Sequence, residues 1–245
     1  MDSVLFFYIL LLVIAFLYAS VGHGGASGYL ALMALFGIAP EVMKPTALLL
    51  NLFVSLTAFL QFYRGRHFVW KVFFPLALAS VPMAFVGGLI TIDATIYKKV
   101  LGILLVFSVI RMLLPAKNKV AALKPAHFSG ALVMGGIIGL MSGMIGIGGG
   151  IILSPLLILF NWTDQKQTAA ISALFIFVNS ASGLLGQLTN GIQFNTDMYV
   201  YVVVAFVGGI AGAYFGAMKF RQTMMKKILA VVLIVAAYKL LFTGA

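Results

Sequence analysis

The sequence predicts an all-α integral membrane protein built from two inverted repeats of about five membrane segments each. Three observations predict this class. Hydrophobic residues make up 63% of the 245-residue chain and charged residues only 9%, whereas soluble domains are nearer half apolar and a quarter charged. Long stretches carry no Asp, Glu, Lys or Arg, and the two halves share a glycine-rich motif. A soluble globule, a disordered chain and a coiled coil are therefore excluded.

Charge-free stretches mark the individual membrane segments. A helix needs about 20 predominantly apolar residues to cross a bilayer. The stretches without Asp, Glu, Lys or Arg are residues 3–40, 45–63, 72–92, 128–163, 167–196 and 198–218. Two shorter apolar runs are flanked by Lys and Arg side chains that can extend to the membrane surface, so these runs also reach the required length. They are residues 100–110 and 228–238.

The two halves of the chain match one another in order. The aligned segments are residues 22–26 with 146–150, 46–48 with 172–174, and 98–101 with 226–229. The offset grows from 124 to 128 residues, as small insertions in loops would produce. Residues 115–126 contain prolines and lysines and have the character of a linker. We therefore predict an N-terminal repeat over 1–114, a cytoplasmic linker over 115–126 and a C-terminal repeat over 127–245.

The distribution of positive charge predicts the topology. In each half the glycine motif interrupts a long apolar stretch, so the chain either continues across the membrane or turns back as a hairpin. A single crossing divides the 16 Lys and Arg residues equally between the two faces, against the positive-inside rule. Hairpins place 12 on one face and leave four on the other, namely Lys44, Lys98, Lys99 and Lys239. We therefore predict hairpins, a cytoplasmic linker and both termini on the outer side.

This topology makes the second half inverted relative to the first, because each half then has an odd number of passes. Inverted repeats with interrupted helices are the usual architecture of secondary transporters. The second arm of each hairpin is short, at residues 27–37 and 151–160. We expect these re-entrant arms to stop part-way, so that the two glycine tips meet near the membrane midplane.

Glycine tips inside a bilayer predict an anion site. Backbone at that depth must be buried in protein or line a wet cavity. A helix that begins there directs free N–H groups and the positive end of its dipole at the space beyond. Two facing tips could hold a small oxyanion without Lys or Arg. The candidate substrate-binding residues at the tips are Gly22, His23, Gly24, Gly25, Ser27, Gly146, Gly148, Gly149 and Gly150.

The alternative for any glycine in a membrane segment is close helix packing. We expect that role for the scattered pairs at 87–88, 135–136 and 208–209. His23 is the one ionisable group of a predicted span that could carry a coupling proton or contact the substrate, and its alternative role is to cap backbone groups.

Polar residues in the helices after the tips are further candidates. Asn51 and Asn179 lie mid-span, and a buried amide needs partners, so we expect both to line the site. Small hydroxyl side chains either face the site or bond to their own helices. These residues are Ser20, Ser27, Thr46, Ser142, Ser154 and Ser172.

Enzyme chemistry finds little support. The three His residues lack metal-site spacing, the five acids fall in predicted loops or at the terminus, and no GxxxxGK[ST] motif occurs. We therefore predict no catalytic residue, no metal site, no cofactor and no nucleic-acid partner. The expected partners are a small anionic substrate and the lipid bilayer, with a homodimer left open.

The repeated tips and the helices after them resemble the sulfite exporter TauE/SafE family. The resemblance rests on residues 20–26, 142–156, 46–51 and 171–179, and extends from residue 3 to residue 242. It implies an inner-membrane transporter that exports sulfite, sulfoacetate or related organosulfonates, which carry three sulfur-bound oxygens. We therefore expect a secondary exporter of such an anion that works by alternating access. The alternatives are an anion channel with the same site and a membrane protein without a transport role.

Overall fold

The computed structural model describes residues 2–20, 24–113, 123–192, 196–218 and 222–242. Within these ranges the chain forms ten α-helices, five before the linker and five after it. The first five are α1 (Asp2–Ser20), α2 (Ala26–Leu35), α3 (Pro40–Arg64), α4 (Trp70–Leu89) and α5 (Ala94–Leu113). The second five are α6 (Phe128–Ile145), α7 (Gly150–Leu159), α8 (Gln165–Thr189), α9 (Thr196–Met218) and α10 (Gln222–Phe242). Equivalent helices match in length, with ten residues in both α2 and α7 and 25 in both α3 and α8.

The helices are those of a multi-pass membrane protein. Over the described residues, α3, α4, α6 and α8 are long and apolar enough to cross a membrane, and α2 and α7 are shorter apolar helices. Large apolar side chains on several helices face outward, and Leu5, Ile103 and Val133 are each more than 60% exposed. A soluble monomer rarely exposes apolar surface on this scale, so these faces are suited to lipid.

The chain turns back at each glycine loop, as the charge bias predicted. A Cβ built on Gly28 of α2 would lie 2.6 Å from Ile14 Cγ2 of α1. In one continuous helix these residues would be about 21 Å apart along the axis. In the second half, a Cβ on Gly149 would lie 2.8 Å from Ile138 Cγ2 of α6. The chain therefore folds back at each loop, and α2 packs on α1.

Close backbone contacts join helices of different halves. α4 packs on α6, and α1 packs on α9. Glycines spaced four residues apart line both interfaces, so that the facing backbones approach closely. A Cβ on these glycines would collide with a carbonyl oxygen of the partner helix: Gly135, Gly139 and Gly143 of α6 against α4, and Gly208 and Gly212 of α9 against α1. The predicted packing role is confirmed for the pairs at 87–88 and 208–209 and for Gly135.

The ends of the helices and the loops that connect them lie at the two ends of the bundle. Three hydrogen bonds link helix ends or loops to one another: Asn190 Nδ2 to the Leu89 carbonyl at 2.7 Å, Lys124 N–H to the Asn161 carbonyl at 2.8 Å, and Lys239 Nζ to the Leu35 carbonyl at 2.9 Å. The charge bias assigns the first and third pairs to the outer face and the second to the cytoplasmic face. None of these three bonds links groups from opposite predicted faces.

Candidate anion site between the glycine loops

The two glycine loops start their helices with the same backbone geometry. Gly25 precedes α2 with φ 92° and ψ −2°, and Gly149 precedes α7 with φ 77° and ψ −14°. This left-handed conformation favours glycine because a Cβ would be strained there. Because both residues are glycines, no side chain at this position caps either helix. The first N–H groups of a helix have no acceptor within that helix, so both loops present backbone donors.

Two other helices, α5 and α8, begin at an acidic side chain. The Asp164 carboxylate accepts from the Gln167 N–H at 2.8 Å and caps α8. Before α5, the Asp93 carboxylate accepts from the Thr95 N–H at 2.8 Å, and these backbone bonds lower the pKa of Asp93. An acid occupies the positive end of each of these helices, as the helix dipole favours. At α2 and α7 the equivalent place has glycine, which leaves it available to another anion.

The two loops meet at the same pair of side chains. A Cβ built on Gly24 would lie 2.9 Å from Ile176 Cγ2, and a Cβ on Gly148 would lie 2.9 Å from the same atom. The Asn51 side chain also lies against both loops. Its Oδ1 would be 3.1 Å from a Cβ built on Gly24, and its Nδ2 would be 2.6 Å from a Cβ built on Gly148. Asn51 belongs to α3 and Ile176 to α8. The loops of the two halves therefore converge where α3 and α8 pack together.

A buried polar group without a protein partner lies between the loops. Asn51 is completely buried, and its Nδ2 donates to Ser180 Oγ of α8 at 3.2 Å. Among the described residues its Oδ1 has no hydrogen-bond partner. An unsatisfied buried polar atom costs about 1–3 kcal/mol. A water, or a ligand group that carries an N–H or O–H donor, would satisfy this oxygen and remove the cost.

Hydroxyl groups lie beside both loops. A Cβ on Gly25 would lie 2.6 Å from the Tyr29 hydroxyl oxygen, which is buried and has no partner within the described ranges. The buried Ser142 hydroxyl likewise has no partner in the part of the chain that the structure describes, and Ser142 lies one turn before Gly146, whose N–H donates to the Ser142 carbonyl at 2.8 Å. Each hydroxyl can donate one hydrogen bond and accept others. Both loops are therefore accompanied by neutral donors.

The Lys44 side chain lies over a tyrosine ring, and its backbone contacts the second loop. Lys44 of α3 is half-buried, and its Nζ is 4.8 Å from the centroid of the Tyr97 ring, within the range of a cation–π interaction. The Tyr97 hydroxyl donates to the Ile145 carbonyl at 3.0 Å. The Lys44 carbonyl oxygen would be 3.0 Å from a Cβ on Gly146. Lys44, considered in the sequence only as an orientation signal, thus packs against the second loop.

The structure brings together most of the predicted site residues. Those that lie at the meeting point or in the loops beside it are Gly24, Gly25, Asn51, Gly146, Gly148, Gly149 and Gly150. Gly22 and His23 lie outside the described residues. The Ser27 hydroxyl is directed at α1 and shares a hydrogen bond of 2.6 Å with the Tyr18 hydroxyl. The Asn179 Nδ2 donates to the Phe175 carbonyl of its own helix at 2.8 Å, while its buried Oδ1 has no partner among the residues that the structure describes.

Thr46 and Ser154 bond to their own helices, whereas Ser172 of α8 bonds to α7. Thr46 donates to the Val42 carbonyl at 2.5 Å, and Ser154 donates to the Gly150 carbonyl at 2.8 Å and shares a bond of 2.9 Å with Ser172. Among the described residues, no group of three His, Cys, Asp or Glu side chains is arranged to hold a metal ion.

Apolar helices that surround two glycine-capped helix N-termini and a buried amide side chain define an integral membrane protein with a polar centre. The sequence profile described as sulfite exporter TauE/SafE matches residues 7–240. The chain belongs to the sulfite exporter TauE/SafE family.

Relatives from distant organisms agree with this membership. A probable membrane transporter protein of Sinorhizobium fredii is 37% identical over 94% of this chain and 95% of its own length. A second, from Methanocaldococcus jannaschii, is 28% identical over 78% of this chain and 75% of its own length. A TauE/SafE family protein of Arabidopsis thaliana is 35% identical over 34% of this chain and 19% of its own length. No solved structure gives a significant match. The family and these relatives support a membrane transporter.

Proposed function

We propose that this protein is a secondary transporter that exports a small sulfur oxyanion or organosulfonate, such as sulfite or sulfoacetate, across the inner membrane. The meeting of the two glycine loops at Asn51 and Ile176 carries the proposal. The family description names sulfite export. Sulfite and sulfonates have three sulfur-bound oxygens that can accept hydrogen bonds from several directions, which suits donors converging from two halves of the chain.

Binding would depend on neutral donors rather than on a fixed cation at the centre. The N-termini of α2 and α7 each contribute free N–H groups and a dipole equivalent to about half a positive charge. The Tyr29 hydroxyl lies beside the first loop, and its oxygen has no hydrogen-bond partner among the described residues. The Asn51 Nδ2 group carries two N–H donors, one of which is directed at Ser180. Such donors select the shape and the oxygen positions of an anion. Without a direct ion pair to break, the anion can leave once the site opens.

Alternating access would use the division of the fold into two packed units. One unit contains the first hairpin, whose helix α1 packs on α9, and the other contains the second hairpin, whose helix α6 packs on α4. The first glycine loop belongs to one unit and the second loop to the other. Rocking of the units about the contact between α3 and α8 would open the space between the loops to each side in turn.

The orientation follows from the charge bias. We place the linker in the cytoplasm and both termini in the periplasm, in a protein that acts alone or as a homodimer. The cytoplasmic face then carries 12 of the 16 Lys and Arg residues. This positive face would raise the local concentration of anions before export.

Counterflow exchange in liposomes tests the proposal. Purified protein is reconstituted with unlabelled sulfite inside, and uptake of labelled sulfite is measured. A carrier shows uptake that internal sulfite stimulates, whereas an anion channel dissipates the gradient without this stimulation. Absence of flux for sulfite and for sulfonates, with flux for another anion, would contradict the substrate class. Absence of flux for every anion tested would favour a role other than transport.

A further inference from the structure

A groove of about 1060 Å³ opens on the surface of the protein between α6 and α7. Most of its lining is apolar and includes Val133, Ile137, Ile152 and Leu156. One end carries the polar groups of Lys124 and His127, next to the linker. The groove lies outside the space between the glycine loops, and the transport proposal does not use it.

The equivalent place in the first half is covered by a helix. α10 packs on α2, and nine of the ten residues of α2 are buried. Only four of the ten residues of α7 are buried, and Leu159 at its end is 70% exposed. In the described ranges α7 packs mainly on α8. Because α2 and α7 are equivalent elements, the uncovered face of α7 marks a place for a different apolar occupant.

Charge and dimensions indicate which occupant fits. Among the described residues no Asp or Glu lines the groove, while Lys124 and His127 lie at its mouth. Trp162 lines the same end, and Trp is enriched at the level of lipid headgroups. The wall of α6 from His127 to Met141 rises about 21 Å. This length corresponds to about one leaflet of a bilayer, headgroup region included.

We propose that this groove binds an anionic phospholipid, with one acyl chain along α6 and α7 and the phosphate beside Lys124 and His127. Basic pockets between membrane helices are suited to such headgroups. The inner end of the groove reaches the transport machinery, because Ile138 lines the groove and its Cγ2 is 2.8 Å from a Cβ on Gly149. A bound acyl chain therefore packs directly behind the second glycine loop.

Native mass spectrometry of the full-length protein tests this site, with phosphatidylglycerol compared with phosphatidylcholine. Val133→Trp places a large ring in the groove, where Val133 is 64% exposed. The matched control is Ile103→Trp on α5, where Ile103 is 61% exposed and lies away from the groove. We expect the wild type and the control to retain one phosphatidylglycerol per protomer in preference to phosphatidylcholine. We expect V133W to retain about tenfold less.

A second pair of variants tests the headgroup contact and does not alter the packed core. Lys124 and His127 are exposed, so the double variant K124Q/H127Q should fold normally. Lys166 is also exposed but does not line the groove, and K166Q is its control. We expect the double variant to lose the preference for phosphatidylglycerol by about tenfold and K166Q to keep it. If V133W does not fold, K124Q/H127Q and K166Q still test whether the groove binds an anionic phospholipid.

Three results would overturn the proposal. The first is equal retention of phosphatidylglycerol by K124Q/H127Q and K166Q. The second is equal binding of the two lipids by the wild type. The third is a dimer that dissociates in V133W while lipid retention stays unchanged, which would assign the groove to a second copy of the chain. None of these results bears on counterflow by the wild type, so the two proposals fail separately.

Discussion

The Asn51 side chain of α3 donates a hydrogen bond to Ser180 of α8 over 3.2 Å, and this bond joins the two halves of the chain. Both residues are completely buried. The Asn51 side chain also lies against Gly24 and Gly148. One amide therefore contacts both glycine loops at the interface between α3 and α8. The following predictions depend on this arrangement.

Replacing Asn51 by Asp should abolish transport. A carboxylate at this position would take the place of the anion at the two helix N-termini and repel a substrate of the same charge. We expect the variant to fold and its sulfite counterflow to fall at least about tenfold. The control is Asn190→Asp, because Asn190 lies at the exposed end of α8. Wild-type flux in N51D would remove Asn51 from the site.

Gly148→Ala should be far more harmful than Gly37→Ala. Both glycines have a left-handed backbone, with φ 71° and 72°, so both substitutions cost about 1–2 kcal/mol of backbone strain. A Cβ on Gly148 would also lie 2.6 Å from Asn51 Nδ2, whereas nothing lies within 4 Å of a Cβ on Gly37. We expect G148A to lose counterflow and G37A to retain it. Equal flux in the two variants would argue against a functional loop.

Two glycines of α6, three residues apart, distinguish the effect of close helix packing from the effect of helix propensity. A Cβ on Gly139 would collide with the Ser80 carbonyl of α4, while a Cβ on Gly136 would make ordinary contacts at 3.7 and 3.8 Å. We expect Gly139→Ala to lower the unfolding midpoint, with a cost of about 1–3 kcal/mol. Gly136→Ala should leave the midpoint unchanged or raise it, because Ala favours helix more than Gly does. Thermal unfolding in detergent measures both, and a lower midpoint for G136A alone would contradict the described packing.

The predicted topology can be read from single introduced cysteines, because the chain has none of its own. We expect cysteines that replace Asp93 or Asn190 to react with a membrane-impermeant maleimide in intact cells. Cysteines that replace Arg66 or Lys124 should react only after the membrane is permeabilised. Labelling of all four positions from the same side would contradict the hairpin topology and the inverted repeat together.

Much of the fold could be predicted from local sequence patterns. Charge-free stretches and repeated glycines predicted ten segments, and the two short arms predicted at 27–37 and 151–160 appear as α2 (Ala26–Leu35) and α7 (Gly150–Leu159). These features are local, because apolar length and left-handed glycines determine them within a few residues. The distribution of Lys and Arg predicted the hairpins, because it depends on which side of the membrane each loop lies and not on how the helices pack.

The side chains around the loops were harder to predict. The sequence singled out Asn179, but the neighbouring Ser180 bonds to Asn51 across the halves. Successive residues of a helix point about 100° apart, and α8 carries polar residues in both directions, so the sequence does not show which of the two faces α3. Ile176, which contacts both loops, is an ordinary apolar residue in the sequence. Its role arises only when α3 and α8 are packed together.

The most direct test of the central claim is a structure of the protein soaked with selenite, a heavier analogue of sulfite whose anomalous scattering locates the anion. The account predicts one strong anomalous peak between the two glycine loops, within hydrogen-bonding distance of the first N–H groups of α2 or α7 and beside Asn51. The peak should weaken when sulfite is added in excess. A saturating soak with peaks only elsewhere on the protein, or with none displaced by sulfite, would contradict the proposed anion site.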